Sequence, residues 1–266
     1  MRTRKLASRL LLLALALWFA PEELLWAQQS GQNLVTIRGK AQEIYFYPAG
    51  SGAAHDQPPK VLFVPGDFGL HGHAVSIAQT MAGWGYDVYA LDTRQYLTSL
   101  RGSPDSRTQD VISDFRAIAS WITGGGKQPI LLVGWSEGAG LCLLAASSPD
   151  SKQIFRGSAL FGLTESNLLG WRWSDVFSYV TKKDPDEPKF QTSDYMAGHA
   201  PLPLALLQSS GDEYVSVEAA RRLFALAREP KRFVLIQARD HRFDGNTEEF
   251  YARLRESLEW IRTVSK

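Results

Sequence analysis

The chain has 266 residues, a net charge of +1 and a hydrophobic fraction of 44%, which is enough to build one sizeable domain with its own core. An even charge balance without a basic run in the body of the chain excludes the electrostatic surface on which nucleic-acid binding depends. The single cysteine, Cys142, excludes an internal disulfide and a cysteine-based zinc cluster, and its apolar neighbours indicate a packing role.

The first residues follow the pattern of an export signal. Basic residues precede an apolar run over residues 10–20, and a proline with two glutamates ends that run before it is long enough to span a bilayer comfortably. Cleavage after Ala27 would remove residues 1–27 and leave a mature domain over 28–266. We therefore expect export to a bacterial periplasm, with an uncleaved membrane anchor as the alternative.

Strand patterns and helix patterns alternate along the mature chain. Apolar or alternating runs predict strands over residues 34–38, 43–47, 61–64, 87–91, 130–133, 158–161, 202–208 and 233–237. Apolar residues at a helical spacing predict helices over residues 74–84, 107–123, 141–146, 216–228 and 247–264. This alternation predicts an α/β domain with a mostly parallel central sheet and helices on both faces.

One stretch carries a candidate nucleophile. Gly134-Trp135-Ser136-Glu137-Gly138 stands between a predicted strand and an apolar helical run, which is the context in which G-x-S-x-G forms a nucleophile elbow. Such a turn holds the serine exposed in a strained conformation, and only glycine fits beside it. The bare pattern also arises by chance, but its flanks favour Ser136 as a catalytic nucleophile.

An acid and a histidine follow two later strands. Asp212 comes after the strand 202–208 and His241 after the strand 233–237, so both should reach the sheet edge at which Ser136 stands. A carboxylate there would orient the imidazole, which would take the proton of the serine. Glu213 is the competing acid, and loop aspartates more often cap turns or helices. Position and the order Ser136, Asp212, His241 favour Asp212.

An oxyanion intermediate needs two converging N–H donors. The N–H of Glu137 opens a helix and should supply the first donor. The second should come from the loop after the strand 61–64, where Gly66 lets the backbone turn; we assign it to Asp67, with Phe68 as the alternative. A carboxylate at Asp67 would oppose the oxyanion unless it points away or is paired.

The segment 164–201 is longer than ordinary connections and rich in aromatic residues, which predicts a cap or lid. These aromatic residues either seal the cap onto the core or line an apolar pocket with a charged rim. The residues that we expect in the substrate pocket are Phe68, His71, Trp135, Trp171 and Trp173.

The mature chain resembles an α/β-hydrolase, and within that superfamily it is similar to the VirJ-like group of bacterial proteins, named for VirJ and its relative AcvB. Three stretches carry the resemblance: Gly66-Asp67-Phe68-Gly69, the elbow around Ser136, and His241-Arg242-Phe243-Asp244-Gly245. The group commonly has a second histidine where this chain has Arg242. The resemblance implies the α/β-hydrolase fold and, from the group, hydrolysis of aminoacyl esters on phosphatidylglycerol.

The expected activity is cleavage of a carboxylic ester through an acyl-enzyme, without a metal or an organic cofactor. The expected partners are a small-molecule or lipid ester and, transiently, a membrane surface. Two alternatives stay open at this point: a non-catalytic periplasmic binding protein on the same fold, and a serine peptidase or amidase.

Overall fold

The computed structural model of the chain describes residues 31–50, 59–172 and 186–264. Residues Gln32–Lys266 form one compact unit. The predicted signal segment 1–27 lies outside the described residues, as does the middle of the predicted cap with Trp173. Within the ranges that are described, no helix combines the length and the apolar character that crossing a membrane requires.

The centre of the fold is an eight-stranded sheet in the order β1-β2-β4-β3-β5-β6-β9-β10. Strand β2 pairs with β4 in the antiparallel direction, and every neighbouring pair from β4 to β10 is parallel. The mostly parallel sheet that the sequence predicts is therefore confirmed. Its strands are β1 (Gly31–Ile37), β2 (Lys40–Tyr47), β3 (Lys60–Val64), β4 (Asp87–Leu91), β5 (Ile130–Trp135), β6 (Phe155–Phe161), β9 (Leu204–Ser209) and β10 (Lys231–Ile236).

Helices cover both faces of this sheet. Helices α2, α3, α4 and α6 contribute to one buried cluster, and α1 and α7 contribute to the other. The side chains of β3 point alternately to the two faces of the sheet. Leu62 and Val64 therefore belong to the first cluster, whereas Val61 and Phe63 belong to the second. The helices are α1 (His73–Gly83), α2 (Thr93–Ser99), α3 (Pro104–Ile122), α4 (Glu137–Ser147), α5 (Ser193–Met196), α6 (Val217–Leu226) and α7 (Thr247–Val264).

The strand register brings four loops to one edge of the sheet. Val64 pairs with Gly134, Gly134 pairs with Leu160, and Phe161 pairs with Leu207. The carboxyl ends of β3, β5, β6 and β9 therefore lie side by side. The loops that follow these strands carry Asp67, Ser136, Gly162 and Asp212.

Two parts of the structure differ from the predicted elements. Helix α2 was not predicted, because its seven residues are too few to show a helical period; the side chain of Asp92 begins it by accepting the N–H of Gln95 at 2.9 Å. The segment predicted to be irregular holds a small antiparallel ribbon of β7 (Ser166–Leu168) and β8 (Lys189–Gln191), followed by α5.

Candidate active site

Ser136 occupies a strained turn between β5 and α4. Its φ of 55° and ψ of −123° lie in a region that L-residues rarely adopt, at a cost on the order of 1–3 kcal/mol. The flanking glycines make the turn possible. A Cβ on Gly134 would lie 2.6 Å from Ala139 Cα, and one on Gly138 would overlap the carbonyl oxygen of Val64. The elbow geometry predicted from the sequence pattern is present.

His241 and Asp212 form the expected ion-pair contact. The Nδ1–H of His241 donates to Asp212 Oδ2 at 2.8 Å, and the aspartate side chain is fully buried. Asp212 Oδ1 accepts the backbone N–H groups of Tyr214 and Val215, each at 2.9 Å. Burial acts to raise the pKa of Asp212, but the contact with His241 and these two N–H groups outweigh it and hold the pKa below its ordinary value.

The competing acid has a different position. Glu213 Oε2 accepts the backbone N–H of His241 at 2.9 Å, so this carboxylate contacts the main chain of the histidine instead of its ring. The structure therefore places Asp212 at the imidazole and Glu213 at the loop that carries it. Both contacts fix where the ring stands, but only Asp212 can stabilise an imidazolium directly through Nδ1.

The imidazole of His241 is enclosed by aromatic side chains. It stacks on Trp135 with ring centroids 6.1 Å apart and meets the edge of Tyr214 at 5.2 Å. It also packs over Gly162, where any side chain would collide with the ring. Its Nε2 is buried and has no hydrogen-bond partner within the described residues, Ser136 included. Serine–histidine contacts of this class are often long before substrate binds.

The loop after β3 lies against the nucleophile. A Cβ on Gly66 would lie 3.5 Å from Ser136 Cβ, and a bond of 2.9 Å from Gly69 N–H to the Gly66 carbonyl oxygen closes the loop into a turn. The other predicted donor, the N–H of Glu137, belongs to the first residue of α4 and precedes the helical hydrogen-bond ladder. The loop that carries the second predicted donor therefore lies beside the serine, and the first predicted donor follows it directly in the chain.

The carboxyl group of Asp67 is the unexpected feature of this loop. Burial raises its pKa to about 6, although the backbone N–H groups of Asp67 and Phe68 and the charge of His241 act to lower it. The carboxylate therefore faces the same N–H groups that we assigned to an oxyanion. It does not point away from the site.

The side chain of Glu137 has a role that the sequence did not reveal. One of its carboxyl oxygens accepts the backbone N–H of Leu168 in β7. Burial, with a smaller contribution from Asp67, raises the pKa of Glu137 to about 8, so the group is mostly protonated at neutral pH. A charged residue type within an otherwise apolar helix was the signal that could have revealed this contact.

The predicted pocket residues separate into two groups. Phe68 is 41% exposed on the loop beside Ser136 with His71 near it, and Trp135 stacks on His241. Trp171 is buried and lines two grooves beside α2, and none of the proposed triad residues lines either groove. Trp173 lies outside the described residues.

The groups at this sheet edge can be compared with what different reaction classes need. Within the described ranges, no group of three or more histidine, cysteine, aspartate or glutamate side chains has a geometry that could hold a metal ion. An acid, a base, a strained hydroxyl and backbone donors at one sheet edge can support acyl transfer.

Sequence comparison finds distant relatives of the chain. No protein-family model matches the chain. The uncharacterized protein Rv2307c of Mycobacterium tuberculosis is 26% identical over 202 residues, which cover 74% of this chain. The chain spans only 66% of the length of that relative.

Two solved structures are similar over most of the chain. The esterase domain of a Rhodothermus marinus protein has a TM-score of 0.60 at 21% identity, and the match covers 88% of this chain and 99% of that one. The α/β hydrolase GrgF from a Penicillium species has a TM-score of 0.63 at 14% identity, and the match covers 86% of this chain and 98% of that one. The chain has the α/β-hydrolase fold, and the predicted fold class is confirmed.

Proposed function

Starting from the α/β-hydrolase fold, we propose that this protein is a serine hydrolase that cleaves carboxylic esters. Ser136 is the nucleophile, His241 the general base and Asp212 the acid that orients it. The observation that carries the proposal is the 2.8 Å bond between His241 and Asp212 at the sheet edge where Ser136 stands in a strained turn. The esterase domain among the similar structures supports this reaction class.

The first half of the reaction forms an acyl-enzyme. Neutral His241 takes the proton of Ser136 as Oγ attacks the ester carbonyl, and the tetrahedral oxyanion accepts N–H bonds from Glu137 and from Asp67 or Phe68. The imidazolium then gives its proton to the leaving alcohol as the carbon–oxygen bond breaks. Asp212 stabilises the imidazolium through Nδ1 and keeps its own negative charge.

The second half consumes one water molecule. His241 takes a proton from water as its oxygen attacks the acyl carbonyl, and collapse of the second tetrahedral intermediate releases the acid and returns the proton to Ser136. The same two oxyanion donors serve both steps.

The substrate in this proposal is a small-molecule or lipid ester. The stretches Gly66–Gly69 and His241–Gly245 support a VirJ-like assignment, and with it an aminoacyl-lipid substrate at a periplasmic membrane surface. In this proposal residues 1–27 direct export, and residues 164–201 form the cap that selects the acyl group.

Labelling by a fluorophosphonate probe tests the proposal directly, because the probe reacts only with an activated serine. We expect the wild type to be labelled and Ser136→Ala and His241→Ala to lose labelling. Ser158→Ala is the matched control, since Ser158 also bonds a histidine, His199, at 2.9 Å but is fully buried.

Labelling that survives in Ser136→Ala would contradict the assigned nucleophile. A folded wild type that neither reacts with the probe nor cleaves a short ester would contradict hydrolysis and favour a binding role. Circular dichroism of each variant shows whether it is folded.

A further inference from the structure

Two adjoining grooves open beside α2, at a distance from the proposed triad. Their volumes are about 480 and 580 Å³, and they share Thr98, Arg101 and Trp171. Trp171 is buried, and its ring also meets the guanidinium of Arg94 at 5.6 Å. The grooves therefore meet at an aromatic wall with an arginine beside it.

The guanidinium of Arg101 is held with one edge unused. Its Nη1 donates to the carbonyl oxygens of Thr98 at 2.6 Å and Leu100 at 2.7 Å. Nη1 carries two hydrogens, so these bonds use both of them and fix the plane of the group. The remaining Nε and Nη2 donors form the fork that binds two oxygens of one anion. No carboxylate within the described ranges pairs with Arg101.

The cations around Arg101 are not equally available. Arg107 and Arg172 both pair with Glu187, at 3.4 and 2.5 Å, so one carboxylate serves two guanidinium groups. Lys40 donates to the carbonyl oxygen of Ser99 at 3.0 Å and, within the described part of the chain, pairs with no acid. Within the described part of the chain, Arg101 and Lys40 are therefore the two cations at the end of α2 without a paired carboxylate.

The acids that line the grooves are largely committed elsewhere. Glu43 accepts the hydroxyl of Tyr45 at 2.7 Å, and Asp92 accepts the N–H of Gln95 at the start of α2. Asp186 is exposed on the far groove, beyond Trp171. The acids therefore leave the Arg101 fork open to an anionic ligand.

The position of α2 is rigid. The buried hydroxyl of Tyr96 donates to Asp114 at 2.9 Å, and the same carboxylate accepts Arg38 Nε. Arg101 follows the last residue of this helix by two positions, so a helix that is fixed in this way limits the freedom that the binding group loses when a ligand arrives.

The groove begins directly behind the loop that carries the second oxyanion donor. Asp92 lines the groove, and its Oδ2 accepts the N–H of Leu70 at 3.4 Å at the end of that loop. Arg94 lines the same groove, and its charge acts to lower the pKa of Asp67. The groove therefore adjoins the Gly66–Gly69 turn, whose first residue lies against Ser136.

We infer that the groove lined by Asp92, Arg94 and Arg101 is an anion subsite for the substrate of the proposed hydrolase. Arg101 is its principal binding residue. It binds a carboxylate or phosphate group that lies at one end of an ester whose carbonyl is at Ser136. Trp171 contacts the apolar part next to the anion. The inference rests on the proposed hydrolase function.

Matched ester pairs test the subsite. Each pair has a neutral ester and an anionic one, with a carboxylate at the end of the acyl chain in one pair and a phosphate on the alcohol in the other. Arg101→Gln should lower kcat/KM for the anionic esters about 10- to 100-fold, the value of one or two charge-assisted hydrogen bonds, mainly through KM. Arg101→Lys should recover part of this loss, because it restores the charge without the fork.

Arg228→Gln is the matched control, because it removes the same charge as Arg101→Gln. Arg228 is exposed and follows α6, toward the other end of the sheet. We expect kcat/KM for every ester to change less than about twofold in this variant. The phosphate ester is assayed once in solution and once in vesicles. A higher kcat/KM in vesicles indicates that the natural anion is a lipid headgroup, whereas an equal or lower value indicates a soluble substrate. Inorganic phosphate should also raise the Tm of the wild type and not that of Arg101→Gln.

The two possible failures can be told apart. Equal kcat/KM for neutral and anionic esters in the wild type, unchanged in Arg101→Gln, would overturn the anion subsite and leave the hydrolase intact. A wild type that cleaves no ester and takes no fluorophosphonate label would overturn the hydrolase function and, with it, the groove as a substrate site.

Discussion

Two serine–histidine pairs of this molecule can be compared, Ser136 with His241 and Ser158 with His199. The buried His199 donates from Nδ1 to the Leu202 carbonyl oxygen at 3.0 Å and accepts the Ser158 hydroxyl at Nε2, 2.9 Å away. Burial is the largest of the effects that lower the pKa of His199 to about 3, so the ring stays neutral at physiological pH. Both of its ring nitrogens have hydrogen-bond partners, and no acid of the described residues bonds the ring.

His241 has the opposite arrangement. Its Nδ1 faces a carboxylate, its Nε2 has no partner within the described residues, and it stands at the sheet edge beside the strained Ser136. The comparison teaches that a serine–histidine contact by itself indicates nothing about catalysis. Three features distinguish a candidate base from a structural histidine: a carboxylate at Nδ1, an Nε2 without a partner, and a position at the carboxyl edge of the sheet.

Of the substitutions that test this comparison, removal of the Asp212 carboxylate should have the largest effect. We expect Asp212→Asn to lower kcat on a short ester by roughly 10³- to 10⁴-fold, because an amide carries no negative charge to stabilise the imidazolium and does not hold the imidazole in the correct tautomer. Glu213→Gln is the control and should cost less than about tenfold, since an amide oxygen can still accept the His241 backbone N–H. A larger loss in Glu213→Gln than in Asp212→Asn would show that the two acids have been assigned the wrong way round.

The structural histidine should appear in the pH dependence of stability. The pKa of His199 is about 3 when folded, against roughly 6.5 in an unfolded chain, so the unfolded chain binds the extra proton between these values. The free energy of unfolding should therefore fall as the pH falls through this window, by about 1.4 kcal/mol per pH unit.

His199→Gln has no titrating ring at this position. Between pH 6 and 4, the free energy of unfolding of this variant should therefore fall less steeply than that of the wild type, and the two slopes should differ by about one bound proton. Urea denaturation of both proteins across this range measures the difference. Equal slopes would mean that the ring is already accessible to protons in the folded state.

The smallest expected effect concerns Asp67. Its folded pKa of about 6 exceeds the roughly 3.9 of an unfolded aspartate, so its stabilising contribution is lost as the pH rises from about 4 through 6. We expect Asp67→Asn to raise the free energy of unfolding by on the order of 1–2 kcal/mol at pH 8 and to leave it unchanged near pH 4. Thermal unfolding at both pH values tests this, and a variant that is less stable than the wild type at pH 8 would contradict it.

Most of the fold and the candidate triad could be predicted because their signals are local. The strand 87–91 and the helix 247–264 have the bounds that the sequence indicates, and the elbow pattern gives the turn at Ser136.

What could not be predicted depends on contacts between distant segments. Helix α2 is too short for a periodic signal. Which acid accepts the His241 N–H depends on the loop geometry, which places Glu213 Oε2 there. The partner of the Glu137 carboxyl is the N–H of Leu168, 31 positions away in the chain. The unused edge of Arg101 is likewise visible only once its Nη1 partners are known.

The bond from Leu168 to Glu137 has a consequence for protein engineering. The backbone N–H of Glu137 directly follows Ser136 and its side chain contacts β7, so one residue links the Ser136 turn to the ribbon of β7 and β8. A chimera that receives residues 164–201 from another enzyme must supply a donor at the position of Leu168. Without it, a buried carboxyl would lose its partner at a cost of roughly 1–3 kcal/mol, borne by the turn that shapes the nucleophile. If residues 164–201 select the substrate as proposed, substrate range therefore cannot be exchanged as a module independent of the Ser136 turn.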